Sequence, residues 1–458
     1  MVFCWCALAL LTLAPVVTGN NAGVKVRLTQ RGLDYAVSPI IKQVLLNMEI
    51  PDQEGTGRLK YIAKGLKIYN LENFKLVQTF VRGTGVRIEV SANIYMSGNV
   101  TVDRRVHTFG PSNLTVDTLS ISAFVAVKRD EHPTFKINEC TANIGRLDVD
   151  LQNGCCVDSC VKGIISCSNW GLRWYIARKI CPLLENYLDN LNTQLATMNA
   201  TINEYAAIDY SLRSVDITDT SIELGLKGIF YNTPRTQEPR FPSTAVSCTS
   251  LNSKMFCVAI SAFTINSAFS VFHNTGVFNI TITDDMIPSV SPIRLSTTTF
   301  GAFVPQISEK YPDLKLELEV KTVKEPDIQF EPNNVILKIF STVTAVQSGN
   351  RLTQLFILNL ESSASVQVSV REDKLVLALN LEKIDVSMNT KTFKFTNLSF
   401  LNMAIKDILF PIIKAHLAKD FPLPGLLRST MVRFINPQVE VLKDYVMIGT
   451  DIQFGENT

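Results

Sequence analysis

Leu314-Lys315-Leu316-Glu317-Leu318-Glu319-Val320 alternates apolar and charged side chains without a break. A period of two belongs to an extended strand, so Leu314, Leu316, Leu318 and Val320 share one face while lysine and glutamate line the other. Leu119, Ile121, Ala123, Val125 and Val127 repeat the pattern, as do Val366, Val368 and Val370. Leu375, Leu377, Leu379 and Leu381 continue it after Arg371-Glu372-Asp373, a polar hairpin turn. Ser97-Gly98-Asn99 reads as a second such turn, between strands over residues 86–96 and 100–106. Strands of this kind build antiparallel sheets with one wet face.

Three stretches carry the helical period instead. Leu33, Val37, Ile40, Ile41, Val44 and Met48 recur at helical spacing, with a kink expected at Pro39. A longer stripe within Trp170–Ala196 holds Ile180, Leu184, Leu188, Leu191 and Leu195, with a bend at Pro182. Leu401, Ile405, Ile408, Ile412 and His416 form the third, stopped by Phe421-Pro422-Leu423-Pro424. Periodicity alone is satisfied if all three stripes are core. Residues 255–283 carry no charge and could span a bilayer; they read more easily as strand (255–260), helix (261–274) and strand (277–283).

The chain has 458 residues, 46% of them hydrophobic and 19% charged, which excludes disorder and leaves room for two or more domains. Its net charge of +2 provides no field for nucleic acid. Four scattered histidines argue against histidine-rich metal chemistry, and no cofactor is expected. Residues 2–19 are uncharged, centre on Ala7-Leu8-Ala9-Leu10-Leu11 and end in small residues, as a cleaved signal peptide does; a retained anchor is the alternative. Export leaves eight cysteines, an even number that suits disulfides in a secreted chain. Cys155, Cys156, Cys160 and Cys167 cluster, but their spacing lacks paired C-x2-C zinc knuckles, so disulfides are read there before zinc. Asn99, Asn113, Asn199, Asn279 and Asn397 head glycosylation sequons. Pro234, Pro239 and Pro242 punctuate a polar linker. The expected division is a signal peptide (1–19), a first unit (20–225), a linker and central region (226–245) and a second unit (246–458).

Asn21-Ala-Gly-Val-Lys-Val-Arg-Leu-Thr-Gln-Arg-Gly-Leu-Asp-Tyr-Ala36, followed by Ile50-Pro51-Asp52, resembles the opening signature of the family of bactericidal/permeability-increasing and lipopolysaccharide-binding proteins. Thr283-Asp-Asp-Met-Ile-Pro288, Arg294-Leu-Ser296 and Phe300-Gly-Ala-Phe-Val-Pro305 match further on, as do Phe421-Pro-Leu-Pro424 and the closing strand Tyr445–Phe454. The blocks lie in order across the whole mature chain.

The resemblance implies an α+β fold: two tandem barrels, each a twisted antiparallel sheet wrapped around a long helix, joined by a central sheet into a boomerang. It also implies an apolar tunnel in each barrel for the acyl chains of a phospholipid. The stripe residues Leu33, Val37, Ile41, Val44, Ile180, Leu184, Leu188 and Leu191 would line the first tunnel, and Ile405, Ile408 and Ile412 the second. Cys140 and Cys181 correspond to the family's disulfide. Cys248 and Cys257 flank a hairpin and are read as a second pair, while the pairing of the remaining four stays open.

Antibacterial members of that family bind lipid A phosphates through basic residues at the tip of the first barrel. Residues 19–225 and 226–458 each hold 22 basic and 21 acidic residues, so neither half stands out. Arg58, Lys60, Lys64 and Lys67 form a modest basic run, either a phosphate-contacting patch or an ordinary solvated face. The turn over residues 95–100 lacks tip lysines and residues 148–158 are acidic. The expected function is a secreted, monomeric lipid-binding protein of innate antibacterial defence. Its partners would be phospholipid, lipopolysaccharide and the bacterial outer membrane. A lipid carrier without antibacterial action is the first alternative. A secreted lipase is the second, disfavoured because no G-x-S-x-G elbow, H-E-x-x-H or phosphate loop occurs. No catalytic or metal-ligating residues are expected.

Overall fold

The computed structural model describes residues 22–454 except 57–59, 104–106, 130–132, 152–169, 203, 234–244, 249, 252, 292, 303, 372–373, 389–401, 403–404, 418–420 and 423–431. The expected signal peptide, Arg58, the cysteine cluster 155–167, Asn397 and most of the linker lie outside the described residues. Of Lys60 and Ile408 only the backbone is described.

The chain opens with β1 (Val24–Thr29) and α1 (Gln30–Leu46). There follow β2 (Gln53–Thr56), β3 (Lys60–Val81), β4 (Gly85–Asp103), β5 (His107–Lys128), β6 (Thr134–Ile144) and β7 (Leu147–Leu151). These make an antiparallel sheet ordered β2-β3-β4-β5-β6, with β7 beside the far end of β5. Its three middle strands hold 22, 19 and 22 residues. Register shifts at Lys64/Lys67, Ile68/Asn70, Glu72/Lys75, Ala92/Ile94 and Asn99/Thr101 break their pairing. Bulges increase local twist, and these let long strands curl around α1 and α2 (Trp170–Ala196). Both helices run on through their prolines, Pro39 and Pro182, which lie on exposed positions.

One expected turn is a strand. Ser97 and Asn99 lie within β4, paired with Lys67 and Lys64 on one side and Asn113 and Pro111 on the other. Gly98, read as a turn residue, instead accommodates crowding between strands: a Cβ there would meet the Leu66 side chain and the Lys64 carbonyl. The pairing of β4 with β5 runs on past these residues to Val102 opposite His107.

The middle of the molecule uses β8 (Asn199–Thr201), β9 (Ala206–Asp209), β10 (Leu212–Ile217), β11 (Ser221–Leu226), β12 (Ile229–Asn232) and β13 (Phe256–Ser261). The central sheet is ordered β10-β11-β1-β13-β22-β21, its last two members being β21 (Val432–Leu442) and β22 (Tyr445–Phe454), so β1 pairs with β13 from beyond the linker. One core cluster accordingly mixes Phe80, Val86 and Leu195 with Phe256, Phe269 and Phe330.

Beyond β13 come α3 (Ala262–Asn274), β14 (Ile280–Ile282), a 3-10 turn (Asp284–Met286), α4 (Thr297–Gly301) and α5 (Pro305–Lys310). The uncharged stretch 255–283 is thus strand, helix and strand. No described helix is long and apolar enough to cross a membrane. The second large sheet holds β15 (Leu316–Thr322), β16 (Asp327–Glu331), β17 (Asn334–Gln347), β18 (Asn350–Arg371), β19 (Lys374–Met388) and β20 (Phe421–Pro422), and β14 forms its other edge. The alternation of Leu316, Leu318 and Val320 is an inward face, all three buried. Val366, Val368 and Val370 pair with Leu379, Leu377 and Leu375 across the expected hairpin. β21 (Val432–Leu442) and β22 (Tyr445–Phe454) close the chain in the central sheet.

The third apolar stripe is not one regular helix. A π-helical turn (Ile405–Leu409) precedes α6 (Phe410–Leu417). Pro411 has no N–H to donate one turn back, which interrupts the α ladder and opens the preceding turn. The helices packed in the second half are therefore shorter than the 27-residue α2.

Candidate functional site: two apolar cavities

Between the first sheet and its helices lies a cavity of about 1140 Å³, its mouth included. Leu33, Val37, Ile41 and Val44 face it from α1, and Leu184, Leu188 and Leu191 from α2. Helical spacing of three and four puts each set on one side, and β4, β5 and β6 supply the opposite wall. Ile180, read with the same stripe, is packed in the neighbouring core at 1% exposure. A disulfide joins Cys140 on β6 to Cys181 on α2, with Cα atoms 5.9 Å apart, and so ties the helix to the sheet's edge strand.

Sequence periodicity missed the wall residues contributed by strands. Gln78 is the clearest case: it shares the inward face of β3 with Leu76 and Phe80, where a polar residue breaks the apolar alternation. Its Nε2 donates to Asp34 Oδ1 at 3.2 Å, and Gln30 Nε2 donates to the same oxygen at 2.8 Å. Phe135 and Ile137 on β6 also line the cavity.

The second half holds a cavity of about 1050 Å³, its mouth included, with Phe269 and Phe272 of α3, Leu337 and Ile339 of β17, and Leu377 and Leu379 of β19 in its wall. A smaller space of about 510 Å³, its mouth included, lies against Leu318, Val343 and Leu358. Ile405 touches both. Ile412 packs against the adjoining core cluster. Most of this lining comes from strands and α3, so the stripe of residues 401–416 revealed only one corner of it. Both cavities are walled almost wholly by hydrocarbon.

Cys248 and Cys257 are also joined, beneath the central sheet, beside Met447. Among the described residues no group of His, Cys, Asp and Glu could hold a metal ion. Lys64 and Lys67 are exposed on β3. The register places the ends of β3 and β4 together, Lys60 opposite Asp103. Asn99, Asn199 and Asn279 are exposed and Asn113 is half-buried.

The profile of the LBP / BPI / CETP family, N-terminal domain, matches residues 32–192, and that of its C-terminal domain matches residues 200–454. A bactericidal permeability-increasing protein of Sebastes schlegelii is 37% identical, over 99% of this chain and 100% of its own. The human lipopolysaccharide-binding protein is 26% identical over 97% and 96%. A crystal structure of lipopolysaccharide binding protein superimposes with a TM-score of 0.56 at 25% identity, over 95% of this chain and 99% of that one. With both domains matched in order and a relative this similar along its full length, the chain belongs to the LBP / BPI / CETP family.

Proposed function

We propose that this is a secreted protein that holds phospholipid acyl chains in its two cavities and binds lipopolysaccharide in innate antibacterial defence. The observation that carries the reading is the hydrocarbon-walled cavity of about 1140 Å³ between α1, α2 and the first sheet. Burial contributes about 0.8 kcal/mol per CH₂, so one sixteen-carbon chain gains roughly 13 kcal/mol before ordering and association costs. No catalytic group is needed, and the protein acts by binding alone, as a monomer. Residues 1–19 are removed on export, and the mature chain divides into barrels over 20–225 and 246–458 around a linker and central region at 226–245. Leu33, Val37, Ile41, Val44, Leu184, Leu188 and Leu191 grip the first lipid, and residues around Ile405 the second. Lys60, Lys64 and Lys67 face the phosphates of lipid A, supported by the arginines at 58, 104 and 105 in the adjoining sequence. The names of the relatives, bactericidal permeability-increasing protein and lipopolysaccharide-binding protein, support the choice of ligand.

A carrier of lipid without antibacterial action is the second reading, favoured by a net charge of only +2. Two measurements decide. Solvent extraction of the purified protein should release phospholipid; an empty protein overturns the lipid-holding reading. Lipopolysaccharide affinity should fall steeply with added salt if phosphates meet lysine and arginine, and stay flat if only acyl chains are held.

A further inference from the structure

The two spaces of the second half lie end to end along the same strands. Thr322, Ser341 and Leu360 are cross-strand partners, and all three line the larger space. Two inward rows further along, Leu318 and Phe356 flank Ala345 in register and line the smaller one. The row between them divides: Val320 lines the larger space and its partner Val343 the smaller. The boundary thus falls within one row of residues, and successive inward rows are only about 6.6 Å apart along a strand.

Among the described residues Ile405 alone lines both spaces. It opens the π-helical turn and is 5% exposed. Leu409, which ends that turn, lines the smaller space, whereas Phe410, which begins α6, lines the larger. The larger space also carries the hydroxyl groups, on Thr322, Ser341 and Ser362, while the smaller is lined by hydrocarbon alone. We propose that Ile405 is the stop that an acyl chain meets in the second barrel, so that this residue sets the chain length the barrel holds. The polar end of the lipid stays beside the hydroxyl groups, its methyl end abuts Ile405, and the smaller space is closed to longer chains. The proposal rests on the lipid-holding reading above and adds a length preference to it. Each methylene admitted past the stop would gain burial, about fourfold in affinity.

The test loads the delipidated full chain from vesicles of saturated diacyl phosphatidylcholines, mixed in equal parts, with twelve to twenty carbons per chain. Mass spectrometry then identifies the species that the purified protein releases. Ile405→Ala opens the way into the smaller space and should raise the ratio of longest to shortest species about tenfold over the parent. Ile405→Val keeps a branched, packed side chain and should shift the profile the same way by less. Leu409→Ala enlarges only the smaller space. Alone it should leave the parent profile unchanged; combined with Ile405→Ala it should lengthen the profile further. None of these changes touches the first cavity, so its lipid is a constant background. The parent profile retained by every Ile405 variant that loads lipid, or an equal shift in Leu409→Ala alone, overturns the proposal while lipid holding stands. If the parent protein releases no phosphatidylcholine, the lipid-holding reading itself falls.

Discussion

Asn192 of α2 engages Phe135 of β6 as a neighbouring strand would. Its Oδ1 accepts from the Phe135 N–H and its Nδ2 donates to the Phe135 carbonyl, both at 2.8 Å. β6 is an edge strand, and this amide satisfies one residue of backbone that the sheet leaves open. Because Phe135 also lines the first cavity, the pair holds wall and helix at a fixed separation. Asn192→Leu removes both hydrogen bonds and should cost about 1–3 kcal/mol. Asn192→Asp retains the acceptor and should cost less at the Phe135 N–H but turn a carboxylate oxygen on its carbonyl. Denaturant unfolding measures both; two variants as stable as the parent would show that the pair holds nothing together.

The Cys140–Cys181 bond closes a loop with a sequence separation of 41. In the chain-entropy picture that closure is worth about 4 kcal/mol, so Cys140→Ala and Cys181→Ala should each lower the yield of secreted protein. Normal secretion of both would argue against a structural role for the bridge.

Leu188 faces the first cavity from the middle of α2. Leu188→Asp places a carboxylate among hydrocarbon walls and should abolish lipid loading in the first barrel while leaving the second loaded. Native mass spectrometry should then show one lipid fewer per chain. Unchanged loading would mean that this face of α2 does not meet the ligand.

Asp209 accepts from Lys227 Nζ at 3.2 Å and from the Ser211 N–H at 2.9 Å. Burial alone would raise its carboxyl, but the Ser211 hydrogen bonds and the Lys227 ammonium outweigh that and hold it below its ordinary value. A carboxyl more acidic when folded stabilises the protein above its unfolded value, near pH 4, and loses that contribution as pH falls through the folded value. Asp209→Asn should therefore be destabilised at neutral pH, and its deficit against the parent should shrink below about pH 4. Melting curves at neutral and acidic pH check this; a deficit that does not change with pH would rule the ion pair out as its source.

The strands were legible because one wet face imposes a period of two, and Leu316, Leu318 and Val320 are buried as that period requires. Twist was not legible. The bulges that curl β4 use glycine and asparagine, the residues of tight turns, and local chemistry cannot separate the two uses at Gly98. The stripes on α1 and α2 found the cavity's helical wall, yet Ile180 and Leu184 look alike in sequence, and only packing assigns one to core and the other to lining. Gln78 left a trace, a polar residue at an inward position between Leu76 and Phe80, but its hydrogen bond depends on Asp34 arriving from a different element.

β13 lies between β1, which begins the described chain, and β22, which ends it. During synthesis, then, β13 leaves the ribosome with one neighbour already made and waits almost two hundred residues for the other. A stop codon before Tyr445 would strand it with a bare hydrogen-bonding edge and uncover the half-cystines that Met447 shelters. Closure of the molecule's middle thus waits on a single pairing event, that of β22 with β13.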